Sequence, residues 1–247
     1  MSIDFLNCKP FRVFFAAGQK ILCDEVYQFL ERATVSELKG RNSLLEGEFQ
    51  GQNCLLRRFA HGGMLRNLFR ERYIGENPRA VRELDILDTL REQGFPVVEP
   101  VFALVEKKVL GYRQALATVR QSDGVDLATL DNLSSDKLAE LVRLLERFFD
   151  AGLYHPDLNI KNILFKEATG AFFLLDFDRA ALLSGPLVPM ERRRIYQRLF
   201  RSFDKLGKLQ FWDHFPFETV PVHVGEGMAR YRKIRKIRAF FWKLNQK

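Results

Sequence analysis

Three polar residues near the middle of the chain stand at spacings that suit one kind of chemistry. In Y-H-P-D-L-N-I-K-N-I-L, from Tyr154 to Leu164, Asp157 precedes Asn162 by five residues, and Asp176 in L-L-D-F-D-R follows fourteen later. Moving a γ-phosphoryl group needs a carboxylate to orient the acceptor hydroxyl and hard oxygen ligands to hold Mg2+ against the phosphates of ATP. Asp157 is the expected base, and Asn162 and Asp176 are the expected metal ligands. H-P-D is also a plain turn, and Asp caps strand ends. Three such residues in register on a helix, a loop and a hairpin outweigh that reading.

The elements that must position them are legible on both sides. A helix from Ser135 to Asp150, capped by Ser135, carries Leu138, Leu141, Val142, Leu145, Phe148 and Phe149 at three-to-four spacing, and Gly152 ends it. After the loop, Ile163–Phe165 and Phe172–Leu175 read as two short strands joined by E-A-T-G, a hairpin that aims Asn162 and Asp176 at one ion. A short helix is expected at Asp126–Leu130. Upstream, a helix at Ile21–Arg32 precedes strands at Ala33–Leu38, Leu44–Phe49 and Cys54–Phe59, separated by turn formers. A helix from Pro78 to Gly94 and strands at Val101–Glu106 and Tyr112–Val119 follow. The polar R-Q-S-D-G linker then divides the chain. This predicts an α+β fold of two lobes, 1–120 with an antiparallel sheet and a helix, and 121–247 mostly helical.

A kinase of this frame places its nucleotide-binding groups in the first lobe. The turn K-G-R-N-S would lie over the ATP phosphates, with Gly40 letting backbone N–H groups approach, although a plain hairpin turn explains it as well. The third strand ends in R-R, and alternation turns Arg57 and Arg58 to opposite faces. Arg57 is chosen as the phosphate-binding cation, where kinases usually carry lysine; two surface arginines are the rival reading. Glu83 is its expected partner on the following helix, with Asp85 the nearest alternative and a helix-surface ion pair the plainer one. Thr118 and Val119 would flank the adenine.

The charged and apolar fractions, 28% and 47%, are those of a globular protein. The start lacks a basic region followed by an apolar core, so no signal peptide is expected. Cys8, Cys23 and Cys54 have no metal-ligand spacing and are expected as free buried thiols in a reducing cytoplasm. The net charge of +8 belongs to the tail: from Glu191 onward 15 Lys and Arg face 5 Asp and Glu, against 24 and 26 before it. The last twenty residues, from Met228, hold 8 basic residues and no acid, interleaved with Tyr231, Phe240, Phe241 and Trp242. On a helix this suits anionic lipid headgroups. Nucleic acid is a rival partner, and an ordinary closing helix with solvated charges accounts for the pattern equally well.

Several segments carry a family resemblance: H-P-D-L-N-I-K-N-I-L, L-L-D-F-D-R-A, R-R-F-A-H-G-G, V-R-E-L-D-I-L-D-T-L-R-E-Q-G-F-P-V-V-E-P and R-L-F-R-S-F-D-K-L. Together, across Ala33 to Leu206, they resemble the bacterial lipopolysaccharide core kinases, and within them those that act on 3-deoxy-D-manno-octulosonic acid (Kdo). The resemblance implies a protein-kinase-like fold and ATP- and Mg2+-dependent phosphorylation of the Kdo 4-hydroxyl. The partner would be a Kdo–lipid A glycolipid at the cytoplasmic face of the inner membrane, bound peripherally through basic residues, with no nucleic acid expected. It implies Asp157 as base, Asn162 and Asp176 as Mg2+ ligands, and Arg57 with Glu83 as the cation–glutamate pair. Arg57 departs from the usual lysine, and Asp178 stands where D-F-G has glycine, so an activation-loop switch is not expected. Asn162 and D-F-D favour Kdo over heptose as acceptor. A small protein kinase, or a non-catalytic pseudokinase that binds membranes or RNA through its tail, are the alternatives. The oligomeric state stays open.

Overall fold

The computed structural model describes residues 3–38, 44–60, 72–75 and 77–244, with side chains to residue 238. Gly40, His61 and the tail's Phe240, Phe241 and Trp242 side chains therefore lie outside the described residues. Two compact units result, Met1–Ser122 and Asp123–Lys247, the division falling inside R-Q-S-D-G.

The first unit is built on one antiparallel sheet of strands β1 (Ile3–Cys8), β2 (Phe11–Ala16), β3 (Thr34–Val35), β4 (Leu44–Phe49), β5 (Gln52–Arg58), β6 (Pro100–Lys107) and β7 (Tyr112–Val119). Their order in space is β1-β2-β6-β7-β5-β4-β3. Helices α1 (Cys23–Arg32) and α2 (Arg79–Glu92) pack on it. The alternating inward residues of the central strands make the core, where Phe29 and Phe49 meet Phe102 at centroid distances of 5.8 and 5.0 Å. No side chain of its own caps the start of α2; instead the buried Gln114 of β7 accepts a hydrogen bond from the Ala80 N–H at 2.9 Å.

Three expectations need correcting here. The strand expected at Ala33–Leu38 shrinks to Thr34–Val35. Beyond it the Ser36 hydroxyl binds Glu46 and accepts from the Leu38 N–H, a local alternative to the sheet ladder. The expected helix at Ile21 begins at Cys23, because Glu25 reaches back to the Leu22 N–H at 2.8 Å. Cys8 and Cys23 are not free thiols: they form a disulfide, Cα to Cα 5.4 Å, joining the end of β1 to the start of α1. The β1–β2 hairpin carries Cys8 to that helix, a proximity that a separation of 15 residues does not reveal. Cys54 is free and buried, and burial pushes its thiol up to about 11. Cys8 and Cys23 therefore lend no support to the expected reducing compartment, a disulfide being the oxidised form.

The second unit packs helices α3 (Ser135–Asp150), α4 (Pro189–Lys205) and α5 (Val222–Leu244) with five short strands. The α3 face runs as its periodicity predicts, with all six apolar residues buried. At about 2–3 kcal/mol for each large side chain, that face alone anchors the helix. Its cap is Ser134, whose hydroxyl accepts from the Lys137 N–H, rather than Ser135. Half-buried Glu146 on α3 joins the three helices, accepting from Tyr196 and Arg192 of α4 and meeting His223 of α5. Along α5, Val224, Met228 and Tyr231 are buried. At Gly227 a Cβ atom would come within 3.0 Å of the Tyr196 Cβ and 3.2 Å of the Arg193 carbonyl, so α5 lies directly on α4. No helix among the described residues is long and apolar enough to cross a membrane.

The helix expected at Asp126–Leu130 is a strand and a turn. Strand β8 (Gly124–Asp126) pairs with β10 (Ile163–Lys166), and the chain then turns through a Thr129 N–H to Asp126 carbonyl bond. Pairing decides it, since a Cβ at Gly124 would lie 1.5 Å from Leu164 Cδ2.

Candidate active site

Two segments of the second unit run side by side because both of their ends are strapped. Strand β9 (Leu153–Tyr154) pairs antiparallel with β12 (Ala181–Leu182), and β10 pairs with β11 (Ala171–Leu174) in the expected hairpin. Residues 155–162 leave β9 and enter β10; residues 175–180 leave β11 and enter β12. Gly152, with φ +85°, makes the turn out of α3. A Cβ there would lie 2.5 Å from the Leu183 carbonyl, which only glycine avoids.

Within this frame the backbone is tied at every step. Buried His155 sits under both segments, its Nε2 3.4 Å from the Leu175 carbonyl and its ring 5.4 Å from that of buried Phe177. Burial pushes the His155 imidazole below its ordinary value of 6.5, against the pull of the Leu175 carbonyl and the charges of Asp176 and Asp157, so it is neutral at neutral pH. The Leu175 N–H donates to the Asn162 carbonyl at 2.8 Å. The Asp157 carbonyl accepts from the side-chain amides of Asn159, at 2.9 Å, and Asn162, at 3.4 Å. Ser202 of α4 accepts from the Ile160 N–H at 3.0 Å, fixing the loop to that helix.

The same ties present the chemistry-bearing groups. Because the Asn162 amide nitrogen points at the loop backbone, its carbonyl oxygen is turned away from it. Asp176, one residue past the partner of Asn162, is exposed, with φ +59°. This left-handed backbone is uncommon for a residue other than glycine and is held by the strapped segment. Asn162 and Asp176 thus supply two hard oxygen donors at the open end of one hairpin. That fits Mg2+, which keeps several water or phosphate oxygens and takes few protein ligands. Among the described residues no cluster of three or more His, Cys, Asp or Glu forms a denser metal site. The Asp157 carboxylate stands between two guanidinium groups, Arg179 Nη1 at 3.0 Å from Oδ2 and Arg198 Nη2 at 2.6 Å from Oδ1. Neither arginine carries a sequence signal tying it to Asp157. Arg179 merely follows D-F-D, and Arg198 is one of several bases on α4.

The nucleotide-binding candidates lie in the first unit. Arg57 on β5 meets Glu83 on α2, Nη2 lying 2.7 and 2.6 Å from its two carboxylate oxygens, and also stacks over Phe59 at 4.6 Å. Glu83, 3% exposed, is the acid at this position, and Asp85 is not. Thr118 and Val119 end β7 opposite Leu55 and Cys54, both half-buried. The Val119 N–H is taken by the Glu99 carbonyl at 2.9 Å.

Comparison with known proteins gives the family. Residues 26–211 match the model of the lipopolysaccharide kinase (Kdo/WaaP) family. A 3-deoxy-D-manno-octulosonic acid kinase of Haemophilus influenzae is 32% identical over 194 residues, covering 73% of this chain and 79% of that protein. One from Xylella fastidiosa is 34% identical over 183 residues, covering 71% and 72%. The solved structure of WaaP in complex with acyl carrier protein superposes with a TM-score of 0.54 at 16% identity, over 86% of this chain and 90% of that one. The fold is therefore that of a two-lobed kinase, and the chain belongs to the lipopolysaccharide kinase (Kdo/WaaP) family.

Proposed function

We propose that the protein transfers the γ-phosphoryl group of ATP to the 4-hydroxyl of Kdo on lipid A-linked inner core, at the cytoplasmic face of the inner membrane. Membership of a kinase family makes it an ATP-using phosphotransferase that acts on a hydroxyl. The observation that carries the finer reading is the match over most of the chain to relatives named as Kdo kinases. In this reading Asp157 orients the acceptor hydroxyl and accepts its proton. Asn162 and Asp176 would hold Mg2+, which when bound neutralises charge on the β- and γ-phosphates. Arg57, aligned by Glu83, reaches the α- and β-phosphates with a fork where lysine would offer a point charge. Gly40, Thr118 and Val119 complete the proposed nucleotide site.

The α5 helix joins two of the expectations for the tail. One face docks through Val224, Met228 and Tyr231, and Arg232 and Arg235 pair with Asp213 and Asp204. Arg230, Lys233, Lys236 and Arg238 are exposed, and these four suit an anionic membrane surface.

The test offers ATP and Mg2+ with a Kdo-bearing lipid A precursor, a heptose-bearing core or no acceptor, and reads acceptor mass, with Asp157→Asn alongside. One added phosphate on the Kdo acceptor alone, absent with the variant, is the expected result. Transfer to heptose alone would move the substrate, and transfer undiminished in Asp157→Asn would remove its role.

A further inference from the structure

Arginines that hold this fold together engage several donors at once. Arg192 on α4, 12% exposed, gives Nε to the Leu187 carbonyl, Nη1 to Glu146 and Nη2 to Asp150. Arg198 on the same helix is 47% exposed, and its guanidinium makes one ion pair, with Asp157. Arg179, 62% exposed, likewise engages one nitrogen, again on Asp157. Two positive charges from separate elements therefore face one carboxylate that is itself 28% exposed. Each guanidinium carries five donors, and each of the two engages Asp157 through a single nitrogen. Exposed ion pairs are weak and exchange partners readily.

We propose that Arg179 and Arg198 form a carboxylate-binding subsite for the acceptor sugar, and that the substrate's carboxylate takes them over from Asp157. This rests on the Kdo reading above. Kdo bears its carboxylate on the anomeric carbon, two ring bonds from the carbon that bears the 4-hydroxyl. A hydroxyl presented to Asp157 thus brings a carboxylate to the flanks of the same residue, where two guanidinium groups offer paired N–H donors. As they shift to the sugar, the Asp157 oxygens are freed to accept the hydrogen bond from the hydroxyl. A neutral sugar leaves both arginines on Asp157 and its oxygens occupied. One contact thereby selects an acidic acceptor and prepares the group that acts on it.

The experiment crosses two acceptors with wild type and variants: a water-soluble Kdo glycoside, and its carboxyl-reduced counterpart with CH2OH in place of the carboxylate. Wild type should show a KM higher by on the order of 10–100-fold for the reduced acceptor. Arg198→Gln and Arg179→Gln should each raise KM for the native glycoside, with a smaller change in kcat, and, by uncovering an Asp157 oxygen, raise kcat for the reduced one; Arg198→Lys should recover part of the loss. Equal losses on both acceptors, or a wild type that does not distinguish them, overturn the subsite. If wild type phosphorylates neither glycoside, the Kdo-bearing lipid A precursor tests the Kdo reading separately, and equilibrium binding of the two glycosides decides the subsite by itself. Preference for the carboxylate, lost in Arg198→Gln, upholds it, and equal binding overturns it.

Discussion

Each unit of the protein sets arginine against a carboxylate, and the two arrangements are built differently. In the first, Glu83 is almost wholly buried, Arg57 is 29% exposed, one guanidinium nitrogen reaches both carboxylate oxygens, and Phe59 lies beneath the cation. In the second, Asp157 has one guanidinium on each oxygen and all three groups reach solvent. A buried pair is costly to break because the partner left behind cannot be solvated. An exposed one contributes little to stability and is free to change partners. The first arrangement therefore fixes a position, whereas the second keeps a carboxylate occupied until something displaces its cover.

The sharpest way to break that contrast is Asp157→Asn. It should lower kcat by about 10²–10⁴-fold while moving the thermal midpoint by no more than about 2–4 °C. A midpoint that collapses would make Asp157 structural and erase the distinction. In the first unit, Arg57→Met should cost about 3 kcal/mol in urea unfolding, because buried Glu83 loses its guanidinium. Glu83→Gln should cost less, since Arg57 already reaches water; the reverse order would show that burial does not set the balance.

His155 tests the scaffold under the exposed arrangement. It is neutral in the fold, whereas the unfolded chain takes up a proton near 6.5, so its contribution is complete above about that pH and is lost as pH falls below it. His155→Gln should flatten the acid limb of stability by up to about 1.4 kcal/mol per pH unit. Denaturation midpoints measured between neutral and mildly acidic pH will read it, and an unchanged slope would mean that the histidine is not held neutral. The smallest effect is expected upstream, in the helix that leads to the loop. Ser134→Ala should cost about 1 kcal/mol through its lost cap, while Ser135→Ala stays within about 0.5 kcal/mol.

Much of this was legible in the residues, for identifiable reasons. Turn formers at E-A-T-G and apolar runs on either side specify the β10–β11 hairpin, and the apolar period of α3 fixes the helix that feeds the loop. The β9–β12 ladder that straps the other ends was not legible, because two-residue strands carry no period. Asp126 was misread because its partner strand, not its own neighbourhood, sets its conformation. The Cys8–Cys23 bond was missed because the β1–β2 turn, Lys9-Pro10, lacks the Gly or Asn that marks a hairpin. The Arg57–Glu83 pair was expected from the kinase frame, since alternation alone left Arg57 and Arg58 equal and α2 offered Asp85 beside Glu83. Arg198 was not, since nothing in a basic helix says which base will meet a loop distant in sequence.

The close approach of α4 and α5 at Gly227 acts as a steric key. Sliding α5 by one turn, about 5.4 Å, would bring His223 or Tyr231 to the slot, and neither can enter a space that a single Cβ already crowds. The outward direction of Arg230, Lys233, Lys236 and Arg238 is thus fixed by shape rather than by attraction. Added salt will weaken whatever these charges hold, but it will not change where they are aimed.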